Sequence, residues 1–298
     1  MFSRRHPYLF FILVSMAIVF GSSTIMSLFI SSNVRTPGKR GEKVGVIEII
    51  GVIVDSKPFL EDLKRFREDK SIKAIVIRVD SPGGGVGPSQ EIFRAINKAK
   101  EFKKVITSMG ALAASGGYYA AAATDGIMAN PGTITGSIGV IMGYTDLQGI
   151  FKKIGLSSVV IKSGNFKDTG SPLRTMREEE RQFLQDFVSK IHEQFVSDVA
   201  EGRSLEKSVV SKLADGRIYT GKESVELGLV DRLGNLEDAV DWAAELAGIK
   251  GPVAVVYPPK PKPTFIEYLT EASVKEMTSI ISNREMKMNA EFLYKPGL

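Results

Sequence analysis

Continuous apolar runs alternate with amphipathic segments from residue 44 onward, and this alternation limits the fold more than any other feature of the chain. The runs at 44–54 and 72–79 are nearly continuous apolar runs, as in strands that are buried on both faces of a parallel sheet. Segments 57–67 and 88–102 have helical periodicity and lie where crossover helices belong. The pattern predicts an α/β domain of repeated βαβ units, with a mostly parallel sheet flanked by helices.

The same kind of pattern continues towards the C-terminus. Short strands are predicted at 127–129, 137–142 and 158–161, and helices at 175–201, 205–214, 221–226 and 236–247. We therefore expect one main domain over 44–257. A proline-rich tether and an amphipathic tail follow it over 258–298.

The N-terminal region differs sharply from the main domain. Residues 8–30 carry no charged side chain, and a helix of that length, at about 1.5 Å per residue, crosses a hydrocarbon core of about 30 Å. Arg4 and Arg5 precede it as a basic leader. We predict one transmembrane anchor within 1–30 and a polar linker over 31–43 that can contact anionic lipid. An export signal that is cleaved from the chain is the alternative.

Composition excludes several kinds of site. The chain has no cysteine and only two histidines, His6 in the leader and His192 inside a predicted helix. Disulfides, a cysteine nucleophile and a histidine or thiolate metal centre are therefore not expected, and a Ser-His-Asp triad would have to use His192. The net charge is +5, but Lys and Arg are scattered without a basic stripe. We expect no metal, no cofactor and no nucleic-acid partner.

One serine lies among residues too small to cover it. Ser115 stands between a predicted strand at 105–109 and a small-residue helix at 116–123. A hydroxyl at such a junction can stand clear of the backbone, next to the free N–H groups of the helix. We interpret Ser115 as a nucleophile. The alternative is an ordinary N-cap serine, and Ala113 stands where the common Gly-x-Ser-x-Gly elbow has its first glycine.

A glycine-rich loop over 80–87 follows one predicted strand and precedes a helix. It lacks the signatures of phosphate-binding and dinucleotide-binding loops. Its N–H groups can instead stabilise an oxyanion during acyl transfer, and we expect the N–H groups of Gly84 and Gly116 to form that hole. A simple tight turn is the other interpretation.

The general base must be a residue other than histidine if His192 stays in its helix. A lysine can serve when burial disfavours its charged form. Lys167 is the best candidate, because it lies in a loop beyond a predicted strand, with Phe166 beside it. Lys162 is a competitor, and spacing alone does not choose between the two.

Several motifs in order resemble the short form of the signal peptide peptidase A family, serine proteases of the bacterial envelope. They are Ser81-Pro82-Gly83-Gly84-Gly85, the stretch 109–119, Thr135-Gly136-Ser137-Ile138-Gly139-Val140, Lys162-Ser163-Gly164 with Lys167-Asp168, and Ala214-Asp215-Gly216-Arg217 with Leu227-Gly228-Leu229-Val230-Asp231. The likeness covers about 44–247. Asp80 departs from it, since Asn is common there.

This resemblance implies a fold of the Clp-protease and crotonase kind and a catalytic dyad of Ser115 as nucleophile with Lys167 as general base. Ser137 is a candidate to orient Lys167. The family places an anchored protease domain outside the bacterial cytoplasmic membrane. It forms homo-oligomeric rings whose active sites are completed between neighbours. The implied activity is hydrolysis of apolar peptides, such as remnant signal peptides, without a cofactor.

Two other functions fit parts of the sequence. A crotonase-type enzyme would use the same glycine hole to stabilise the enolate of an acyl-coenzyme A thioester. A membrane-anchored scaffold with an inert site is the second alternative, because the geometry of a dyad cannot be deduced from sequence.

Overall fold

The computed structural model describes residues 8, 10–12, 14–22 and 42–259. The chain divides into two compact units, Met1–Tyr257 and Pro258–Leu298. Only residues 258 and 259 of the second unit are described, so the predicted amphipathic tail lies outside the described residues. The predicted linker does too, apart from its last two positions.

The described residues between 8 and 22 are helical. Within the described part of the chain, no helix is both long enough and apolar enough to cross a membrane. Residues 23–30 of the predicted anchor lie outside the described residues, and the anchor stays a prediction.

The main domain alternates strands and helices as the apolar pattern predicts. The strands are β1 (Lys43–Ile50), β2 (Ile72–Ser81), β3 (Lys104–Ala114), β4 (Gly126–Ala129), β5 (Ile134–Gly136), β6 (Ile218–Thr220), β7 (Arg232–Leu233) and β8 (Ala254–Val256). The helices are α1 (Lys57–Glu68), α2 (Val86–Lys100), α3 (Gly116–Ala122), α4 (Gln148–Lys153), α5 (Glu178–Arg203), α6 (Lys207–Leu213), α7 (Gly221–Glu226) and α8 (Leu236–Leu246).

The strands form one mixed sheet that is almost entirely parallel. Its order is β6-β5-β3-β2-β1-β8, and β4 pairs with both β3 and β7. Among the described strands, only the β5–β6 pair is antiparallel. The prediction of a mostly parallel sheet flanked by helices is confirmed.

Both faces of the sheet are covered, which explains why its strands are mostly apolar. In β2, Ile75 and Ile77 pack with the large core cluster that includes Phe93 of α2. Ala74 and Val76, which point the other way, pack in a second cluster with α8. Alternating side chains of one strand therefore enter two different cores, which favours apolar residues at most positions of the strand.

The long strand β3 carries the sheet to the candidate nucleophile. Its first half pairs with β4 at 106–108 and its second half with β5 at 112–114. On its other side it pairs with β2 from Ala74 onward. The strand then ends at Ala114, directly before Ser115. Because β2 ends beside it at Ser81, the loops after both strands meet at one edge of the sheet, where sites form in parallel sheets.

Two predicted strands were wrong. Residues 137–142 and 158–161 are irregular. The backbone leaves β5 through positive φ angles at Gly136 (78°) and Ser137 (49°), so the strand lies three residues earlier than predicted. Ile141 and Ile161, whose apolar character suggested buried strands, are both 98% exposed and have no core to enter in this chain.

Candidate active site

Ser115 occupies a tight junction between β3 and α3. Its backbone has φ 52° and ψ −120°, a conformation that costs a non-glycine residue about 1–3 kcal/mol. Its N–H donates to the carbonyl of Gly136 at 2.9 Å, and its own carbonyl accepts from the N–H of Tyr119 at 2.8 Å. The side chain makes no capping hydrogen bond to α3. The geometry therefore differs from that of the N-cap serine considered as an alternative.

The helix that follows Ser115 is locked into the core. Every residue of α3 is buried. The hydroxyl of Tyr118 donates to the carbonyl of Leu229 at 3.0 Å, and the ring of Tyr119 packs between Phe93 and Phe195 with centroid distances of 5.1 and 4.5 Å. This packing fixes the direction in which Ser115 faces.

The glycine-rich loop is held in place by its own backbone and by Ser81. The Ser81 hydroxyl donates to the carbonyl of Gly51 at 2.6 Å and accepts from the N–H of Gly83 at 3.1 Å. The N–H of Ile53 donates to Gly83 and its carbonyl accepts from Gly85, each at 2.8 Å. The N–H of Gly84 has no acceptor among the described residues, and neither does that of Gly116.

These glycines are required by close approach of two backbones. A Cβ built on Gly83 would lie 2.5 Å from the nitrogen of Gly116 and 2.9 Å from the Cβ of Ser115. One on Gly84 would overlap the carbonyl of Ile53. One on Gly116 would lie 2.5 Å from the Ser89 hydroxyl. The loop thus brings two unpaired N–H groups beside Ser115, the arrangement expected of an oxyanion hole.

Ser137 lies on the same side of the sheet edge. The bond from the Ser115 N–H to the carbonyl of Gly136 brings the next residue, Ser137, close to Ser115. The Ser137 N–H donates to the carbonyl of Arg217 at 2.8 Å, which fixes this turn against the residues before β6.

Four of the five predicted site residues line one cavity of about 300 Å³: Ser115, Gly84, Gly116 and Ser137. The rest of its wall is mainly apolar and comes from α2, α3, α5 and residues 139–141; its larger side chains are Val86, Tyr119, Val140, Ile141, Ile191 and Phe195. Such a cavity, next to a hydroxyl and two free N–H groups, fits an apolar side chain of an extended peptide.

Sequence reasoning missed two contributions to this cavity. Ser89 and Gln90 of α2 line it, and Ser89 is 3% exposed with its hydroxyl bonded to the carbonyl of Gly85 at 2.8 Å. Their spacing from Val86, three and four residues, puts them on one face of a helix, which is a signal that the sequence contains. Side chains of α5 reach the cavity only through the tertiary fold, so no local sequence pattern predicts their contribution.

Other groups near Ser115 are poorly suited to act as a base. Burial, followed by its hydrogen bond to Asp198, raises the pKa of the Tyr119 phenol well above its usual range. His192 does not line the cavity, although its neighbour Ile191 does. In the part of the chain that the structure describes, no cluster of three or more His, Asp or Glu side chains could hold a metal ion.

The structure does not bring Lys167 to Ser115 within this chain. Lys167 is exposed and does not line the cavity. Its N–H donates to the carbonyl of Gly164 at 3.2 Å, and its ammonium group has no partner among the described residues. Its competitor Lys162 is engaged, because its Nζ lies 2.5 Å from Asp168 Oδ1 and 3.2 Å from the carbonyl of Asn165.

We call residues 156–177 the Lys167 arm. It has no helix or strand, and large apolar side chains point out from it: Leu156, Val159, Val160, Ile161 and Phe166 are 47–98% exposed. The arm is connected to the start of α5 by ion pairs. Arg174 bonds both Asp168 and Glu180, and Arg177 bonds Glu180. These bonds hold the pKa of Glu180, and that of Asp168, well below their usual ranges.

The chain is similar to several known proteases. Residues 97–250, which include both Ser115 and Lys167, match the model of peptidase family S49. A protease of Synechocystis sp. is 46% identical over 225 residues, which cover 74% of this chain and 81% of that protein. A protein of Enterococcus faecium named signal peptide peptidase SppA is 39% identical over 236 residues, 73% of this chain and 69% of that protein.

Two further matches extend the picture. Protease 4 of Haemophilus influenzae is 31% identical over 266 residues, but the chain spans only 42% of its length. Among solved structures, a membrane-bound stomatin-specific protease superposes with a TM-score of 0.50 over 74% of this chain and 99% of its own, at 18% identity. That last likeness concerns the fold alone, and it agrees with the Clp-protease and crotonase type of sheet predicted from the motifs.

Proposed function

Because the chain belongs to peptidase family S49 and is a serine peptidase, we propose that it is a membrane-anchored endopeptidase that uses a Ser115/Lys167 dyad to cut apolar peptides. The observation that carries the proposal is the junction at Ser115. There a strained, uncapped serine faces an apolar cavity beside two unpaired N–H groups. Membership of this peptidase family does not support the alternative function, an enzyme that acts on acyl-coenzyme A thioesters.

The reaction proceeds through an acyl-enzyme. The neutral amine of Lys167 takes the proton of Ser115, and Oγ attacks the carbonyl carbon of the peptide. The N–H groups of Gly84 and Gly116 stabilise the oxyanion, and the Lys167 ammonium returns its proton to the leaving amine. Lys167 then takes a proton from water, the resulting hydroxide attacks the acyl carbon, and the ammonium protonates the departing Ser115 oxygen. In this proposal Ser137 orients the amine.

Lys167 reaches Ser115 from a second copy of the chain in this proposal. Its side chain is exposed, has no partner among the described residues and does not line the cavity of its own chain. The exposed apolar side chains of the Lys167 arm, of which Ile161 is 98% exposed, provide the surface for a homo-oligomeric contact. Apolar docking also removes water from the amine, which favours the neutral form that a base needs.

The proposed substrates are remnant signal peptides in the bacterial cytoplasmic membrane, with the catalytic domain on the extracytoplasmic side. The apolar wall of the Ser115 cavity supports an apolar peptide, and the uncharged stretch 8–30 supports a single-pass anchor. An anchor close to the domain suits substrates that are confined to the bilayer surface.

The test is cleavage of an apolar fluorogenic peptide by the full-length protein in detergent. Ser115→Ala and Lys167→Ala should each lose most of kcat, by about 10³-fold or more, and remain folded. Mixing the two inactive variants should restore part of the activity, because one copy supplies the serine and the other the lysine. Full activity of Lys167→Ala would overturn the base assignment and make Lys162 the next candidate.

Mixed variants that stay inactive, although each is folded and assembled, would show that the dyad is not shared between copies. A parent protein that is assembled and membrane-bound but inactive on every apolar peptide tested would favour the scaffold alternative instead.

A further inference from the structure

The geometry points to Glu180 as a positioning residue that sets where Lys167 stands, acting through Arg174 and Arg177. This inference rests on the proposed role of Lys167 as base. We call Lys162, Asp168, Arg174, Arg177 and Glu180 the Glu180 ion cluster.

Glu180 is the fixed centre of the cluster. Its side chain is completely buried although it lies in the first turn of α5. Its carboxylate accepts from Arg174 Nη1 at 2.8 Å and Nη2 at 2.5 Å, from Arg177 Nη2 at 2.9 Å, and from the Arg177 N–H at 3.0 Å. A buried carboxylate with this many donors stays ionised and holds both guanidinium groups in place.

The two arginines connect Glu180 to residues on both sides of Lys167. Arg174 Nε and Nη2 each donate to the carboxylate of Asp168 at 2.9 Å, one residue after the lysine. Arg177 Nη2 donates to the carbonyl of Asn165 at 2.6 Å, two residues before it. Lys167 therefore lies between two backbone positions that are both tied to the same buried acid.

The side chains that flank Lys167 are tied down as well. Phe166 packs against Phe183 of α5 with 5.4 Å between ring centroids, and the guanidinium of Arg177 lies 5.9 Å from the Phe166 ring. The Asp168 carboxylate also accepts from Lys162 at 2.5 Å. Lys167 is thus a side chain without a partner in an otherwise connected turn, which is the arrangement that presents an amine outward from a surface loop.

The arm is shaped by these ion pairs, the Phe166–Phe183 ring contact and its own turns. It contains no strand or helix, and its apolar side chains are largely exposed. Loss of the Glu180 charge should leave the fold of the main domain intact but let the Lys167 turn move. Because misplacement of a reacting group by about 1 Å can cost about 10²-fold, we expect the effect to appear in kcat rather than in KM.

The test compares Glu180→Gln with Glu179→Gln in the full-length protein. Glu179 is the exposed neighbour and forms no ion pair among the described residues. We expect Glu180→Gln to lower kcat by about 10- to 100-fold with KM changed less than about twofold, while Glu179→Gln behaves as the parent.

Mixing experiments show on which half of the dyad Glu180 acts. Glu180→Gln keeps an intact Ser115 cavity, so Ser115→Ala, which offers a well-placed lysine, should restore its activity. Lys167→Ala should not restore it, since the only amine available is the misplaced one. A purely structural role would not produce this asymmetry.

Parental kcat in a folded Glu180→Gln protein, or rescue by Lys167→Ala instead of Ser115→Ala, would overturn the inference. If Glu180→Gln does not fold, Asp168→Asn, which lies outside α5, carries the same comparison. Full activity of Lys167→Ala would refute the proposed base itself, and that result is distinct from either of these.

Discussion

The two residues of the proposed dyad are held in place by different kinds of interaction. Ser115 ends a buried strand, starts a fully buried helix and is surrounded by glycines that no larger residue can replace. Lys167 stands on an arm with exposed apolar side chains, held by ion pairs around one buried acid. The chain's own core therefore positions the proposed nucleophile and oxyanion hole, whereas the position of the proposed base depends on surface charge and on what covers the arm.

The largest effect is expected in the glycine-rich loop beside Ser115, where Gly84→Ala is compared with Gly87→Ala. A Cβ at Gly84 would overlap the Ile53 carbonyl, whereas nothing lies within 4 Å of one at Gly87. We expect Gly84→Ala to lower kcat by about 10²- to 10³-fold and to lower the melting temperature. Gly87→Ala, inside α2, should be active and more stable by up to about 1 kcal/mol. Peptide cleavage and thermal unfolding measure both, and similar behaviour of the two variants would refute the close-approach argument.

A smaller effect is expected on the arm. Ile161 is 98% exposed, so Ile161→Asn should leave the melting temperature of the dissociated chain unchanged. If the arm docks on a second copy, the variant should lose about tenfold in activity at low protein concentration, because an apolar side chain in an interface contributes about 1–3 kcal/mol. Sedimentation and specific activity across a dilution series measure this. Val209→Asn, at an exposed position on α6, is the control, and an equal effect there would argue against the arm as the interface.

The strain at Ser115 predicts a gain in stability. Relief of the positive φ should favour Ser115→Gly, and the greater freedom of glycine in the unfolded chain offsets part of the gain. We expect Ser115→Gly to be about 1 kcal/mol more stable than Ser115→Ala, which keeps the strain. Denaturant unfolding of the two inactive variants gives the difference directly. A less stable glycine variant would show that the surrounding packing, and not strain, dominates at this position.

The smallest effect is expected on the stability of the Lys167 arm at low pH. The pKa values of Asp168 and Glu180 are held below their usual ranges by Arg174 and its neighbours. A lowered folded-state pKa adds stability that is fully present above the unfolded value of about 4 and is lost progressively as pH falls from there through the folded value. Hydrogen exchange should therefore show the arm losing protection below about pH 4 while β2 and β3 keep theirs. Simultaneous loss in both regions would mean that the ion cluster does not define the arm.

The same contrast explains what could be predicted from the sequence. Strands β1 to β4 and the junction at Ser115 follow from local patterns, because residues that are adjacent in sequence share one strand, turn or helix. The strands predicted at 137–142 and 158–161 were wrong. Their apolar alternation indicates side chains that favour burial, but this chain has no core that buries them. Strands β6, β7 and β8 contain only two or three residues each, too few for a pattern.

The candidate site contains four residues whose proximity follows from sequence motifs and one, Lys167, whose position does not. Ser115, Gly84, Gly116 and Ser137 lie together because their motifs end at one edge of the sheet. The separation of Lys167 from that edge could not be predicted, since it depends on how the ion pairs around Glu180 fold the arm and on apolar side chains with no core in this chain. Its role as base stays a prediction.

The double pairing of β3 has a consequence for how the protein fails on heating. Ser115 is joined to a strand of 11 residues that binds β2 on one side and successively β4 and β5 on the other, so its surroundings can melt only when the whole sheet does. The arm has no such coupling and should melt earlier. Moderate heating should therefore abolish peptidase activity while the junction at Ser115 stays folded, and activity lost in that temperature range should return on cooling.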